Sequence, residues 1–360
     1  MKIIENSLDH VSVDLGYGFV KAISKKTNKK VVFPSLVGRG HDLSISGMFD
    51  GLKKDISNIH VVYGGEEFFV GELAERESRT VSRVFEQERF DHIFTKVLLN
   101  VAIQMVTDGK GGTVNVSTGL PLDFYEPQKK KFRESLLGVQ PHVEWKSGVR
   151  AGETLKLNIN EVFVFPQGIG AVFSALYTND GRHAYPHLMR KGNLIALIDI
   201  GFRTTDFTVV EIREDRSFVP NIKLSGTLDS GVVNLHRHIR QFYKMKTGGA
   251  DLNEFHMSRI FSNHQLTYKG QKIDFTETIL QGKNAVANNI ADQLKAIWAE
   301  EADLFDAIFL AGGGGKLFVN EFQSHFNDRV EIIEDSQFAN AIGYLRLGNR
   351  LLAKMNTRNS

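Results

Sequence analysis

Along this chain the spacing of apolar residues switches between a period of two and one near 3.6, and each switch marks a boundary between a strand and a helix. Val11 to Ser24 reads as strand, turn and strand, and Val31-Val-Phe-Pro-Ser35 as a further short strand. Residues 41–54 are rich in glycine and weakly patterned, and read as a loop. Val61-Val-Tyr63 and Glu67-Phe-Phe-Val70 form a small hairpin about Gly64-Gly65. Phe90, Ile93, Phe94, Val97, Leu98, Val101 and Met105 recur at helical spacing, and the helix ends at Asp108-Gly-Lys-Gly-Gly112. Thr113 to Pro121 is a strand running into a turn. The next helix starts at Glu126 with Pro127 in its first turn and stops at Gly138. Thr154 to Phe165 reads as two strands separated near Asn158–Asn160, and Gln167 to Tyr177 as a helix. Ile195 to Glu211 is again strand, turn and strand, followed by a strand over Val219–Leu224. Ser230 is placed to cap the following helix, a long polar helix covers about Thr276 to Glu300, and Asp335 opens the last one. Strands alternating with helices give an α/β class.

Chemistry enters where the pattern repeats. Val11-Ser-Val-Asp-Leu-Gly-Tyr-Gly-Phe19 and Ile195-Ala-Leu-Ile-Asp-Ile-Gly-Phe-Arg-Thr-Thr-Asp-Phe207 are each an apolar strand, an Asp-x-Gly and a return strand. One Asp-x-Gly is an ordinary turn. Two suggest more, because such a turn offers backbone N–H groups to phosphate and a carboxylate to hydrated Mg²⁺. A third segment, Asp306-Ala-Ile-Phe-Leu-Ala-Gly-Gly-Gly-Gly-Lys-Leu-Phe318, drives a strand into four glycines, which implies close approach of the backbone to something or a flexible connection. It is neither a Walker A loop nor a Rossmann fingerprint, since Lys316 lacks the following Ser or Thr and no G-x-G-x-x-G is present.

In order and spacing these motifs resemble those of the actin, Hsp70 and sugar-kinase superfamily. There the two hairpins are phosphate 1 and phosphate 2, and the glycine-rich turn is the adenosine motif. Val162-Phe-Val-Phe-Pro-Gln-Gly-Ile-Gly-Ala-Val-Phe-Ser174 is similar to the first connecting helix and Gln337-Phe-Ala-Asn-Ala-Ile-Gly-Tyr344 to the second. Within the superfamily the chain looks most like bacterial actin-like plasmid-segregation proteins of the ParM/StbA group. The resemblance implies an actin-like α/β fold with two domains, each built on a mixed sheet flanked by helices, and a nucleotide cleft between them. Domain I would be residues 1–166 plus 336–360, with a smaller subdomain at about 35–90, and domain II residues 167–335.

It also implies roles. Asp14 and Asp199 would hold Mg²⁺ through water. Gly16, Tyr17 and Gly18 would wrap the β- and γ-phosphates, and Lys21 would reach them, unless it is a plain strand lysine. Gly201, Arg203, Thr204 and Thr205 would form the second turn. Phe202 and Arg203 depart from the family form, and Arg203 is left between a phosphate contact and an interdomain one. Asp206 either orients that loop or is a hydrogen-bonded core aspartate. Gln167 would position the attacking water, the alternative being helix capping beside Pro166. Gly312, Gly313 and Gly314 would admit the base and ribose, with Gly226, Asp229 and Gly231 on a further loop. The implied ligands are ATP, with GTP left open, and Mg²⁺. The implied partners are other copies of the chain in a filament and a centromere-binding adaptor.

Composition alters little. A length of 360 residues suggests about two domains. A net charge of +2 demands neither direct nucleic-acid binding nor an acidic membrane. The absence of cysteine excludes disulfides and thiol catalysis and suits the cytoplasm. The charged N-terminal stretch is no signal peptide, and no apolar run is long enough for a membrane span. His236 and His238 face different sides of a helix and make a poor metal pair, while Trp145 and Trp298 read as packing residues. Leu345 to Met355 reads as a closing helix in preference to a membrane anchor. A nucleotide-dependent filament protein is the leading expectation. A sugar or small-metabolite kinase, or an Hsp70-like ATPase, is the alternative.

Overall fold

Asp9–Leu15 (β1) and Phe19–Ser24 (β2) pair antiparallel, and Lys30–Pro34 (β3) extends them. The computed structural model describes residues 8–41, 54–78, 81–82, 92–109, 112–326 and 329–359. Phe90 and most of the expected loop at 41–54 lie outside these, as does part of the expected subdomain at 35–90. Next come Val37–Arg39 (β4), Ile59–Tyr63 (β5), Glu66–Val70 (β6), Glu72–Glu77 (α1) and Val81–Ser82 (β7). The β5–β6 turn places Gly64 and Gly65 at φ +60° and +85°, where a side chain would be strained. Ile93–Val106 (α2) precedes Gly112–Leu120 (β8), Leu122–Leu136 (α3), Gly138–Val139 (β9), Val143–Ser147 (β10), Thr154–Leu155 (β11), Leu157–Pro166 (β12) and Ile169–Leu176 (α4).

These strands make two sheets. One has the order β3-β2-β1-β8-β12-β9, with β8 parallel to both β1 and β12, and the other β11-β10-β5-β6-β4-β7. A strand with neighbours on both edges is buried on both faces, and in β1 the alternating Val11, Val13 and Leu15 are buried together with the polar His10, Ser12 and Asp14 between them. Val11, Val13, Val97, Val101, Val116 and Trp145 belong to one core. The Trp145 indole N–H donates to Gln104 Oε1 at 2.7 Å, so the ring is buried without an orphan donor.

The later strands are Leu194–Ile200 (β13), Thr205–Ile212 (β14), Phe218–Leu228 (β15), Gln265–Tyr268 (β16), Gln271–Asp274 (β17), Phe305–Ala311 (β18) and Val330–Ile332 (β19). The helices among them are Val232–Thr247 (α5), Glu254–Asn263 (α6), Thr276–Trp298 (α7) and Gly312–His325 (α8), and Ala339–Asn359 (α9) comes last. Their five-stranded sheet runs β15-β14-β13-β18-β19, two antiparallel pairings followed by two parallel ones. Trp298 fills this second core, edge-on to Phe207 and Phe305, with its N–H on Leu224 O at 2.9 Å. The chain forms two compact units, Met1–Ser174 with Asn340–Ser360 and Ala175–Ala339, each a mixed α/β structure.

Three local expectations change. Helix α3 begins at Leu122, so Pro127 lies in its second turn and forfeits one main-chain hydrogen bond; Tyr125 Oη and Arg133 Nε, both donating to carbonyls of β12, anchor the helix regardless. Residues 158–160 are not a break between strands. Asn160 is an extra residue in a continuous β12, bulged between the Ile159–Val114 and Glu161–Asn115 pairs. Ser230 does not cap α5. Gly231 occupies that position, and its N–H is taken by Asn234 Oδ1 at 3.1 Å.

Candidate functional site

In the first unit, Asp14 stands near the end of β1 directly opposite Lys21 of β2, and directly opposed residues in an antiparallel pair project from the same face. The Lys21 ammonium donates to Asp14 Oδ2 at 3.0 Å, and the aspartate is only 4% exposed. A buried carboxylate needs such a cation. The turn from Gly16 to Gly18 is stapled by Ser35, whose hydroxyl donates to Gly16 O at 2.6 Å and whose N–H donates to Gly18 O at 2.9 Å. A Cβ on Gly16 would lie 2.8 Å from Phe19 O and 3.2 Å from Lys21 Nζ, so the glycine keeps the space beside the ammonium open. Tyr17 is half-buried in the same turn. Gln167 follows the last residue of β12, is 8% exposed, and donates its N–H to Leu120 O at 2.7 Å.

In the second unit, Asp199 occupies on β13 the place Asp14 has on β1, and is 9% exposed. Opposite it stands Asp206, which accepts from Thr227 Oγ1 at 2.6 Å. The turn closes through Gly201 N on Thr204 O at 2.9 Å, and Thr205 Oγ1 donates to Ser230 O at 2.8 Å. Gly201 O and Phe202 O accept from Val232 and Val233, so the turn takes up donors that the start of α5 would otherwise leave orphaned. Gly231 makes this possible: its Cβ would come within 3 Å of Gly201 O, Phe202 O and the Arg203 carbonyl carbon. Arg203 Nε donates to Asp229 Oδ1 at 3.2 Å, a contact within the second unit. Gly226 packs below the ring of Phe207.

The four glycines form the first turn of α8, and two of them, Gly312 and Gly314, lie against β13. Gly312 has φ +78°, and a Cβ there would overlap Asp199 Oδ1 and Ile200 O. One on Gly314 would overlap the Ile200 side chain. Only Gly313 among the three faces open space. The glycine-rich first turn of α8 and the Asp199 carboxylate are therefore one packed constellation.

Hard oxygen donors at two buried strand ends suit Mg²⁺. No cluster of three or more His, Cys, Asp or Glu is gathered as a metal site among the described residues. His236 is instead a packing residue, edge-on to Phe202 at 5.2 Å. A cavity of about 540 Å³ between α5 and α7, lined by His238, Phe242, Met245 and Glu277, holds none of these site residues. Two residues that sequence reasoning missed are Ser35 and Asn340. The second was visible only as part of Gln337-Phe-Ala-Asn-Ala-Ile-Gly-Tyr344; the first had no signal beyond its place after β3.

Comparison with known proteins bears on the whole chain. Residues 12–170 match the family model for the N-terminal domain of actin-like proteins, and residues 197–324 match that for the C-terminal part of the archaeal actin homologue MreB-like. The chain has the actin-like ATPase fold. It is 29% identical to the subunit of a 15-stranded ParM filament from Clostridium botulinum, covering 95% of this chain and 99% of that one with a TM-score of 0.83. It is 27% identical to a non-polymerisable quadruple mutant of pCBH ParM, covering 96% and 100% with a TM-score of 0.80. An archaeal actin homologue, Ta0583, in complex with ADP shares the fold at 21% identity over 95% of this chain and 99% of that one, with a TM-score of 0.76. No curated protein sequence matches. No helix of the described residues in this actin-like chain is long and apolar enough to cross a membrane.

Proposed function

We propose that this chain is a nucleoside triphosphatase that assembles into filaments in its triphosphate-bound state and moves plasmid DNA in the cytoplasm through a separate DNA-bound adaptor. What carries the reading is the second buried-carboxylate hairpin, present in a chain that is similar from end to end to a filament-forming ParM. The turn at Gly16–Gly18 cradles phosphate with its backbone, and Lys21, paired with Asp14, places a cation beside it. Gly201, Arg203, Thr204 and Thr205 do the same from the second hairpin, and Gly312–Gly314 with Gly231 border the nucleoside. Asp14 and Asp199 would hold Mg²⁺ through water, and the ion would offset negative charge on the phosphate oxygens. Gln167 orients the attacking water by accepting and donating hydrogen bonds. An amide is no strong base, so turnover is slow.

Head-to-tail contact between unlike surfaces of identical subunits does not close, and an open polymer results. A net charge of +2 leaves DNA contact to the adaptor. The test is light scattering and pelleting of the purified protein after addition of Mg-ATP, Mg-GTP or Mg-ADP, with phosphate release followed in the same samples. A triphosphate-triggered rise, then phosphate release and decay, is expected, and the nucleotide that triggers it is the preferred one. Hydrolysis with no assembly at any concentration or salt would sink the filament reading.

A further inference from the structure

The turn that carries Gln167 is fixed from a distant region of the chain. Helix α4 starts two residues after Gln167, and a helix leaves its first N–H groups without partners inside itself. Two N–H groups at this end are taken by one side chain: Asn340 Oδ1 accepts from Gly168 N and from Ala171 N, each at 3.2 Å. Asn340 is the second residue of α9, is 7% exposed, and lies 172 positions from Gly168 in sequence. Its reach depends on close packing of α9 against α4. A Cβ on Gly343 would overlap Gly170 O, and one on Gly170 would come to 2.5 Å from Tyr344 Cε1. The backbone is therefore held on both sides of Gln167, by Leu120 O before it and by Asn340 after it.

We propose that Asn340 is a positioning residue for Gln167, fixing the amide that orients the attacking water; this rests on the reading of Gln167 given above. Without the cap, the donors of Gly168 and Ala171 must find water, and the turn shifts to let them. Misplacing a catalytic group by about 1 Å costs up to roughly a hundredfold in rate. Aspartate accepts the same two N–H groups, and its charge suits a helix N-terminus, so it restores what alanine removes.

The experiment is a double-mutant cycle on the full chain with Asn340→Ala, Asn340→Asp, Gln167→Ala and Gln167→Ala/Asn340→Ala. Phosphate release from Mg-ATP and Mg-GTP, KM and melting temperature are read for each. Asn340→Ala is expected to lower kcat roughly 10- to 100-fold with KM within about twofold. Asn340→Asp should return kcat to within about threefold of the parent, and in the Gln167→Ala background the loss of Asn340 should cost less than about twofold. Should Asn340→Ala not fold, Asn340→Ser, whose shorter side chain cannot span both donors, takes its place. Additive losses, or an aspartate variant as slow as the alanine one, would overturn the coupling while leaving Gln167 its role. Gln167→Ala at the parent rate would instead remove that role, and this inference with it.

Discussion

At the scale of single residues, neighbouring glycines in one sequence run have opposite requirements. Gly312 combines a left-handed backbone with a Cβ position already occupied by Asp199 and Ile200, whereas Gly313 borders open space. Gly312→Ala should therefore destabilise the protein by roughly 1–3 kcal/mol and lower its melting temperature by several degrees, while Gly313→Ala stays within about 0.5 kcal/mol; urea denaturation of the two variants side by side checks this. The run of glycines was conspicuous in the sequence, but its division of labour was not, because the partner strand is more than a hundred positions away. Asp14 and Lys21 show the converse. Their opposition follows from the register of a tight hairpin, although sequence reasoning set Lys21 toward phosphate or left it a plain strand lysine and did not pair it with Asp14. Asn340 carries no such local mark. An asparagine in a helical segment says nothing of the donors it meets until the helix is docked.

Elements were read well where period and turn chemistry agreed, as in both Asp-x-Gly hairpins and the β5–β6 hairpin. They were misread where a polar residue was taken for a boundary. Asn160 interrupts the alternation of β12 because a bulge shifts the register by one, and its amide donates to Asn115 Oδ1 at 3.0 Å instead of ending the strand. Docking of α9 has its own polar seam. His10 Nδ1 is 2.9 Å from Asn349 Oδ1, His10 Nε2 is 2.8 Å from Ser117 Oγ, and Gly348 leaves room for both contacts. Burial chiefly, with some help from Lys25, holds the imidazole below its ordinary value of 6.5, against the pull of Asn349 and Asp9. The unfolded chain thus takes up a proton that the fold resists. Stability is full above about pH 6.5 and falls as the pH drops from there through the lowered folded value. Urea midpoints measured from about pH 7.5 down to about 5.5 should fall. His10→Gln should flatten that slope, leaving the share contributed by His60, whose imidazole burial shifts the same way.

At the scale of the whole molecule, one plan is used twice. Strands β3-β2-β1-β8-β12 and β15-β14-β13-β18-β19 share order and direction, and each puts an aspartate at the end of its middle strand. The copies differ at the crossover from the fourth strand: Leu120-Pro121 leads into α3 in one, Gly312–Gly315 into α8 in the other. If both carboxylates serve one ligand, binding must tighten the whole fold. Mg-triphosphate at about a hundred times its dissociation constant should add about 2.7 kcal/mol and raise the melting temperature by roughly 3–5 °C. Thermal melts of the parent and of an Asp14→Ala/Asp199→Ala variant should show that shift in the first and none in the second. The division of the first unit into two stretches of chain has a further consequence, this time during synthesis. Residues 175–339 leave the ribosome as a complete unit while the earlier one still lacks α9. Until Asn340 arrives, the N–H groups of Gly168 and Ala171 lack the side chain that takes them, so the turn after β12 is completed only when the last helix docks.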